Sequence, residues 1–167
     1  LSKNVALTCL FCSDNQLTTL DVSKNTLITE FYCSGNRLTS LDVSKNTLLE
    51  DLECSSNQLT SLDVSKNTTL FVLRCSDNQL TSLDLSNTRL YHLNCYQNRI
   101  KGAAMDALVE SLRNAETYDW GRDWLTLNII HKENEQNVMT VTQVEAAKAK
   151  GWIPYYTDGE KDEEKGA

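Results

Sequence analysis

The sequence predicts an α/β solenoid: a right-handed superhelix with short parallel strands on its concave face and a helix-containing C-terminal cap. Three observations predict it. Cys12, Cys33, Cys54 and Cys75 recur at a spacing of 21 residues, and Cys95 follows after 20. Asn15, Asn36, Asn57, Asn78 and Asn98 stand three residues after each cysteine. Leu17, Leu38, Leu59, Leu80 and Ile100 stand two residues beyond those. A fixed short period means that each unit is one coil unable to bury its apolar face alone, so neighbouring coils must stack.

The fullest copy, residues 48–68, reads L-L-E-D-L-E-C-S-S-N-Q-L-T-S-L-D-V-S-K-N-T. Its strand is centred on Leu52-Glu53-Cys54. Side chains alternate across a strand, so Leu52 and Cys54 point inward and Glu53 outward. Six positions of this copy are expected in the core: Leu49, Leu52, Cys54, Leu59, Leu62 and Val64. The asparagine after each cysteine is expected to satisfy backbone groups stranded in a tight turn, which makes Asn15 to Asn98 an asparagine ladder. A second series, Asn4, Asn25, Asn46, Asn67 and Asn87, falls in S-K-N-T segments and reads as turn chemistry. The fifth copy has S-N-T in place of S-K-N-T, a deletion outside the strand that the stack can absorb.

The cysteines are expected to be reduced. Parallel strands lie about 4.8 Å apart, whereas a relaxed disulfide needs a Cβ separation of about 3.5–4.5 Å and a particular dihedral angle. A buried cysteine also serves as a small hydrophobe. Cys9 and Cys12 form a C-x-x-C, but alternation puts them on opposite faces. No second pair or nearby histidine completes a tetrahedral zinc set.

The motif L-x-x-L-x-C-x-x-N-x-L is that of a leucine-rich repeat with cysteine in one leucine slot. The phrase C-S-x-N-Q-L-T-S-L-D-V-S-K-N-T resembles the cysteine-ladder leucine-rich repeats of the internalin J type and of related bacterial surface proteins. The likeness covers residues 1 to about 100 strongly. It extends more weakly through G-A-A-M-D-A-L-V-E-S-L and N-E-Q-N-V-M-T-V-T-Q-V-E-A-A-K-A-K-G-W. What the resemblance implies is a secreted or surface-attached protein serving adhesion or protein binding.

Residues 1–100 are therefore expected to form five repeat strands, residues 101–157 a helix–strand–helix–strand cap, and residues 158–167 an acidic tail. Leu1 aligns with Val22, Val43 and Val64, so the chain opens mid-repeat and reads as a fragment, any export signal or anchor lying elsewhere. Within the cap, residues 103–112 have helical periodicity with Ala104, Leu108, Val109 and Leu112 on one face. Residues 125–130 read as a strand. Thr140 or Thr142 is placed to cap a second helix running through Lys150, with Glu145 three residues after Thr142 and Gly151 ending the helix. Trp152 to Tyr156 reads as a final strand, where Pro154 favours an edge.

The net charge of −7 opposes nucleic-acid binding and electrostatic attachment to anionic membranes. No apolar run is long enough to span a bilayer. His92 and His131 are the only histidines, and no nucleophile, metalloprotease or phosphate-loop motif accompanies them. Asp51 and Glu53, outward on one strand, lack an apolar pocket that would set their pKa values apart. Calcium at Glu30, Asp51 and Glu53 lacks loop geometry. The expectation is a non-enzyme without metal or cofactor.

Comparing the repeats with one another locates the candidate site. The stretch Q-L-T-S-L-D-V-S-K-N-T barely varies, as shape alone requires. The outward strand positions vary: Cys9, Phe11 and Ser13; Glu30, Tyr32 and Ser34; Asp51, Glu53 and Ser55; Val72, Arg74 and Ser76; His92, Asn94 and Tyr96. Packing does not dictate these residues, and exposed aromatics and arginine are the types enriched where proteins bind. The candidate partner-binding residues are Phe11, Glu30, Tyr32, Asp51, Glu53, Val72, Arg74, His92, Asn94 and Tyr96. The partner would be a host or bacterial protein, or a glycan, and the module a monomer at the cell surface or outside the cell. Two other readings stand beside it. One is a structural spacer within a larger surface protein. The other is an intracellular inhibitor or scaffold, suggested by the reduced thiols and the helix-bearing cap.

Overall fold

A computed structural model describes residues 1–114, 125–131 and 136–157. The predicted acidic tail at 158–167 lies outside the described residues. Among the described residues, seven strands form one sheet in sequence order, every pair parallel. They are β1 (Cys9–Phe11), β2 (Glu30–Tyr32), β3 (Asp51–Glu53), β4 (Val72–Arg74), β5 (His92–Asn94), β6 (Leu125–His131) and β7 (Trp152–Thr157). Helix α1 (Ala103–Ser111) lies between β5 and β6, and α2 (Val141–Ala149) between β6 and β7. The chain is a leucine-rich repeat solenoid.

The first five strands are three residues long because the chain turns sharply just after them. Asp14, Gly35, Ser56, Asp77 and Gln97 occupy the same place in successive coils, and all have left-handed φ, between 51° and 64°. Only Gly35 has no steric objection to that conformation. It is also the position where a Cβ would lie 2.3 Å from Asp14 Oδ1.

All six expected core positions of the fullest copy are buried: Leu49, Leu52, Cys54, Leu59, Leu62 and Val64. Cys33, Cys54, Cys75 and Cys95 are buried, Cys9 and Cys12 partly so, and none of the six is in a disulfide. Loss of hydration pushes the thiols of Cys12, Cys33, Cys54 and Cys75 above the ordinary cysteine range.

Asn57 shows how the ladder works. Its Oδ1 accepts from Leu38 N at 3.0 Å, and its Nδ2 donates to Cys33 O, Cys54 O and Ser55 O at 3.0, 3.2 and 3.2 Å. One amide thus satisfies its own turn and clamps the coil before it. Asn36, Asn78 and Asn98 repeat the pattern. Asn15, on the first coil, is exposed and donates only to Cys12 O and Ser13 O.

The second asparagine series does more than shape a turn. Asn25, Asn46 and Asn67 are fully buried. Asn67 Nδ2 donates to Val43 O and Asn46 O of the preceding coil at 3.1 and 2.8 Å, and Asn46 bonds likewise to Val22 O and Asn25 O. A second inter-coil ladder therefore runs along the convex side. Asn87 does not extend it: Asn87 is exposed, and Thr88 is buried in its place, its Oγ1 donating to Leu85 O at 2.7 Å. Thr88 N bonds Leu85 O as Asn67 N bonds Val64 O. The one-residue deletion thus falls between Thr88 and Leu90, after the turn rather than within it.

Beyond β5 the coil is remade with other parts. Asn128 pairs with Asn94, which carries Ile129 into the slot that cysteine fills earlier. Asn137 supplies the ladder amide. Its Oδ1 accepts from Ile100 N at 2.8 Å, and its Nδ2 donates to Cys95 O and Ile129 O at 2.8 and 3.0 Å. The spacing from the cysteine slot is eight residues instead of three, which hides Asn137 from any reading by period.

Helix α1 buries Met105, Leu108 and Val109, with Ala104 partly buried against the same core, so Met105 adds to the expected inner face. Thr140, not Thr142, caps α2, in a reciprocal capping box with Gln143 rather than Glu145. Gly151 follows α2 with φ +85°. Lys150 Nζ reaches Glu110 O and Leu112 O, placing a cation on the carbonyl end of α1. Pro154 lies on β7, the last strand of the sheet.

Candidate functional site

Strand alternation places the first and third residue of each strand on the open face of the sheet. One row in register is Cys9, Glu30, Asp51, Val72, His92 and Thr126. The next is Phe11, Tyr32, Glu53, Arg74, Asn94 and Asn128. The structure thus brings the sequence-predicted residues of β1 to β5 onto one face, with Tyr96 two residues beyond Asn94.

Their accessibility is uneven. Phe11 is 62% exposed. Glu30, Tyr32, Asp51, Glu53, Arg74, His92, Asn94 and Tyr96 are half-buried. Val72 departs from expectation, being only 6% exposed. It is flanked in register by Asp51 and His92, and the neighbouring Arg74 reaches back to Asp51, so Val72 offers a partner almost no surface.

Asp51 organises the middle of the face. Arg74 Nη1 lies 3.2 Å from Asp51 Oδ1, and Tyr32 Oη donates to Asp51 Oδ2 at 3.0 Å. Burial first, and the hydrogen bond to Asp51 second, push the Tyr32 phenol up to about 12, so it remains a donor in neutral solution. Glu53 accepts from Ser34 Oγ at 3.1 Å, and Ser76 and Ser55 hydroxyls meet at 3.1 Å. The Phe11 and Tyr32 rings pack with centroids 4.8 Å apart and planes tilted by 43°. At the other end His92 Nδ1 contacts Thr126 Oγ1. His131 ends β6, and its side chain is outside the described set. Among the described residues no group of three or more histidine, cysteine or acidic side chains is arranged to hold a metal ion.

Sequence reasoning missed a second aromatic pair. Phe71 and Tyr91 stack with centroids 6.3 Å apart just before β4 and β5, and Tyr91 is 48% exposed. Thr8, Thr29 and Glu50 precede the earlier strands. Variation at this position was the available signal, but it lies one residue outside the alternating set.

The solved structure of the functional domain of InlJ from Listeria monocytogenes, described as including a cysteine ladder, is similar to this chain. The TM-score is 0.64 with 33% sequence identity, covering 83% of this chain and 30% of that chain. The chain is an internalin-like leucine-rich repeat protein. An internalin, InlF, from Listeria monocytogenes strain 4b F2365 shares the fold with a TM-score of 0.70 and 19% identity, covering 94% of this chain and 45% of that one. The internalin-like chain thus spans less than half the length of either. No protein-family model and no curated protein matches it. No helix among the described residues is long and apolar enough to cross a membrane.

Proposed function

We propose that this chain is a non-catalytic recognition module that binds a protein through the strand face of residues 1–100, outside the cell or at its surface. Residues 101–157 serve as its cap and residues 158–167 as an acidic tail. The observation that carries the reading is the contrast between the two sides of each coil. The convex turn repeats almost without change, while the strand face holds Phe11, Tyr32, Asp51, Glu53 and Arg74 in an order no packing rule requires. Exposed aromatic rings on a preorganised sheet supply contact area at low entropic cost. The internalin likeness supports adhesion and a surface location. The near-identical convex turns favour a second reading, a spacer in a larger surface protein.

The test is an array of purified extracellular proteins and glycans probed with the chain and with a Phe11→Ala/Glu30→Lys variant. Neither side chain supports the core, so both proteins should melt together. Proteins captured by the first and lost by the second support the proposal. Captures indifferent to the substitutions move the site off this face. An array without captures favours the spacer.

A further inference from the structure

The acidic groups of the strand face are not equivalent. Asp51 is neutralised within the chain by Arg74 at 3.2 Å and hydrogen-bonded by Tyr32. Arg74 is thereby committed, and it is the only arginine or lysine in the two strand-face rows. Glu53 receives only the Ser34 hydroxyl, and the Glu30 carboxylate receives no hydrogen bond or ion pair among the described residues. These two carboxylates border the Phe11–Tyr32 ring pair: Glu53 pairs in register with Tyr32, and Glu30 is two residues before Tyr32 on the same strand. An exposed ring face attracts a cation through its quadrupole, and adjacent carboxylates add charge complementarity.

We infer that this end of the face receives an arginine or lysine side chain of the partner protein, laid on the Phe11–Tyr32 rings with Glu30 and Glu53 as counter-charges. The inference rests on the protein-binding reading above and names the chemistry the partner presents. A neutral glycan would use the rings but leave both carboxylates without a counter-charge.

The experiment is an NMR titration of the whole chain with acetyl-Arg-Gly-Arg-amide, with its citrulline counterpart, and with a neutral glucose hexasaccharide. The expected result is selective movement of the Phe11 and Tyr32 ring resonances with the arginine peptide alone, weakening as salt is added. A Glu30→Gln/Glu53→Gln variant should bind about threefold to tenfold more weakly. Glu110→Gln, the same kind of change on helix α1, should not. Equal shifts from the citrulline peptide, an unaffected double variant, a response confined to the hexasaccharide, shifts spread without preference for the rings, or no response at all would each overturn the inference. If it fails while Phe11→Ala/Glu30→Lys still abolishes capture on the array, the recognition face stands and only the cation assignment goes.

Discussion

Residues 28–98 and residues 100–157 build the same coil by different means. In the first region a cysteine, a left-handed residue and an asparagine recur at fixed spacing, and each coil copies its neighbour's hydrogen bonds. In the second, Ile129 replaces the cysteine and Asn137 supplies the amide from eight residues away. The ladder is conserved in space and lost in sequence. A parallel stack imposes one demand on every rung: the buried backbone N–H and carbonyls of the turn must be satisfied. Any amide delivered to that point meets it, whatever the length of chain that delivers it.

The largest expected effect tests that equivalence. Asn57→Ala leaves Leu38 N without its acceptor and removes one donor each from Cys33 O, Cys54 O and Ser55 O, which keep Asn36 Nδ2, Asn78 Nδ2 and Gly35 N. One orphaned buried N–H at about 1–3 kcal/mol, with the lost clamp between coils, should cost about 2–3 kcal/mol in urea denaturation. Asn137→Ala should cost as much, and Asn15→Ala far less because Asn15 is exposed. If Asn137→Ala resembles Asn15→Ala instead, the sixth rung is not part of the ladder.

Alkaline titration comes next. The folded thiols of Cys33, Cys54 and Cys75 ionise later than unfolded ones because burial disfavours the thiolate. Above the unfolded pKa, about 8.5, the unfolded chain loses protons that the folded chain keeps. Their stabilisation is complete below that pH and is lost as pH rises, by about 1.4 kcal/mol per pH unit for each thiol. Cys54→Ala should lower stability at neutral pH yet flatten the alkaline decline. An unchanged slope would mean that the thiols are not the groups responsible.

A smaller effect belongs to the second region alone. Lys150→Met removes the ammonium from Glu110 O and Leu112 O at the end of α1 and should cost about 0.5–1 kcal/mol, diminishing in salt. Thermal unfolding with and without added salt measures it. The smallest effect belongs to the repeats. Asp21, Asp42, Asp63 and Asp84 have lowered pKa values because the serine two residues on donates to each. The hydroxyl leads at Asp21 and Asp84, and the backbone N–H at Asp42 and Asp63. The unfolded chain binds protons first as pH falls, so this stabilisation is present above about pH 3.9 and disappears as pH drops through the folded values. Asp63→Ala should reduce the acid dependence of Tm slightly, and no change at all would remove the turn from the account.

The same contrast shows why some features could be read from the sequence and others could not. Leu52, Cys54 and Leu59 announce their burial by period, because every coil makes the same demand at the same place. Asn46 carries the same period, yet its residue type suits a turn as well as a ladder, so its two bonds to the preceding coil were hidden. Met105 joined Ala104, Leu108 and Val109 on the inner face of α1, and Thr140 displaced Thr142 on α2, because the orientation of each helix is set by what it packs against. On the strand face, alternation placed Phe11, Tyr32 and Glu53 in one row. It could not show that Arg74 leans to Asp51 rather than to its register partner Glu53, nor that Val72 lies almost covered.

The repeat by itself determined the stack, the inward cysteines and leucines, and which positions are free to vary, since translation along one axis copies each coil's requirements onto the next. Only the tertiary structure decided that Asn137 completes a rung, that Thr88 stands where an asparagine had stood, and that Asp51 is neutralised while Glu30 is not. Those outcomes depend on which groups meet across coils and on how far a side chain reaches, and neither distance is written in the spacing of residues along the chain.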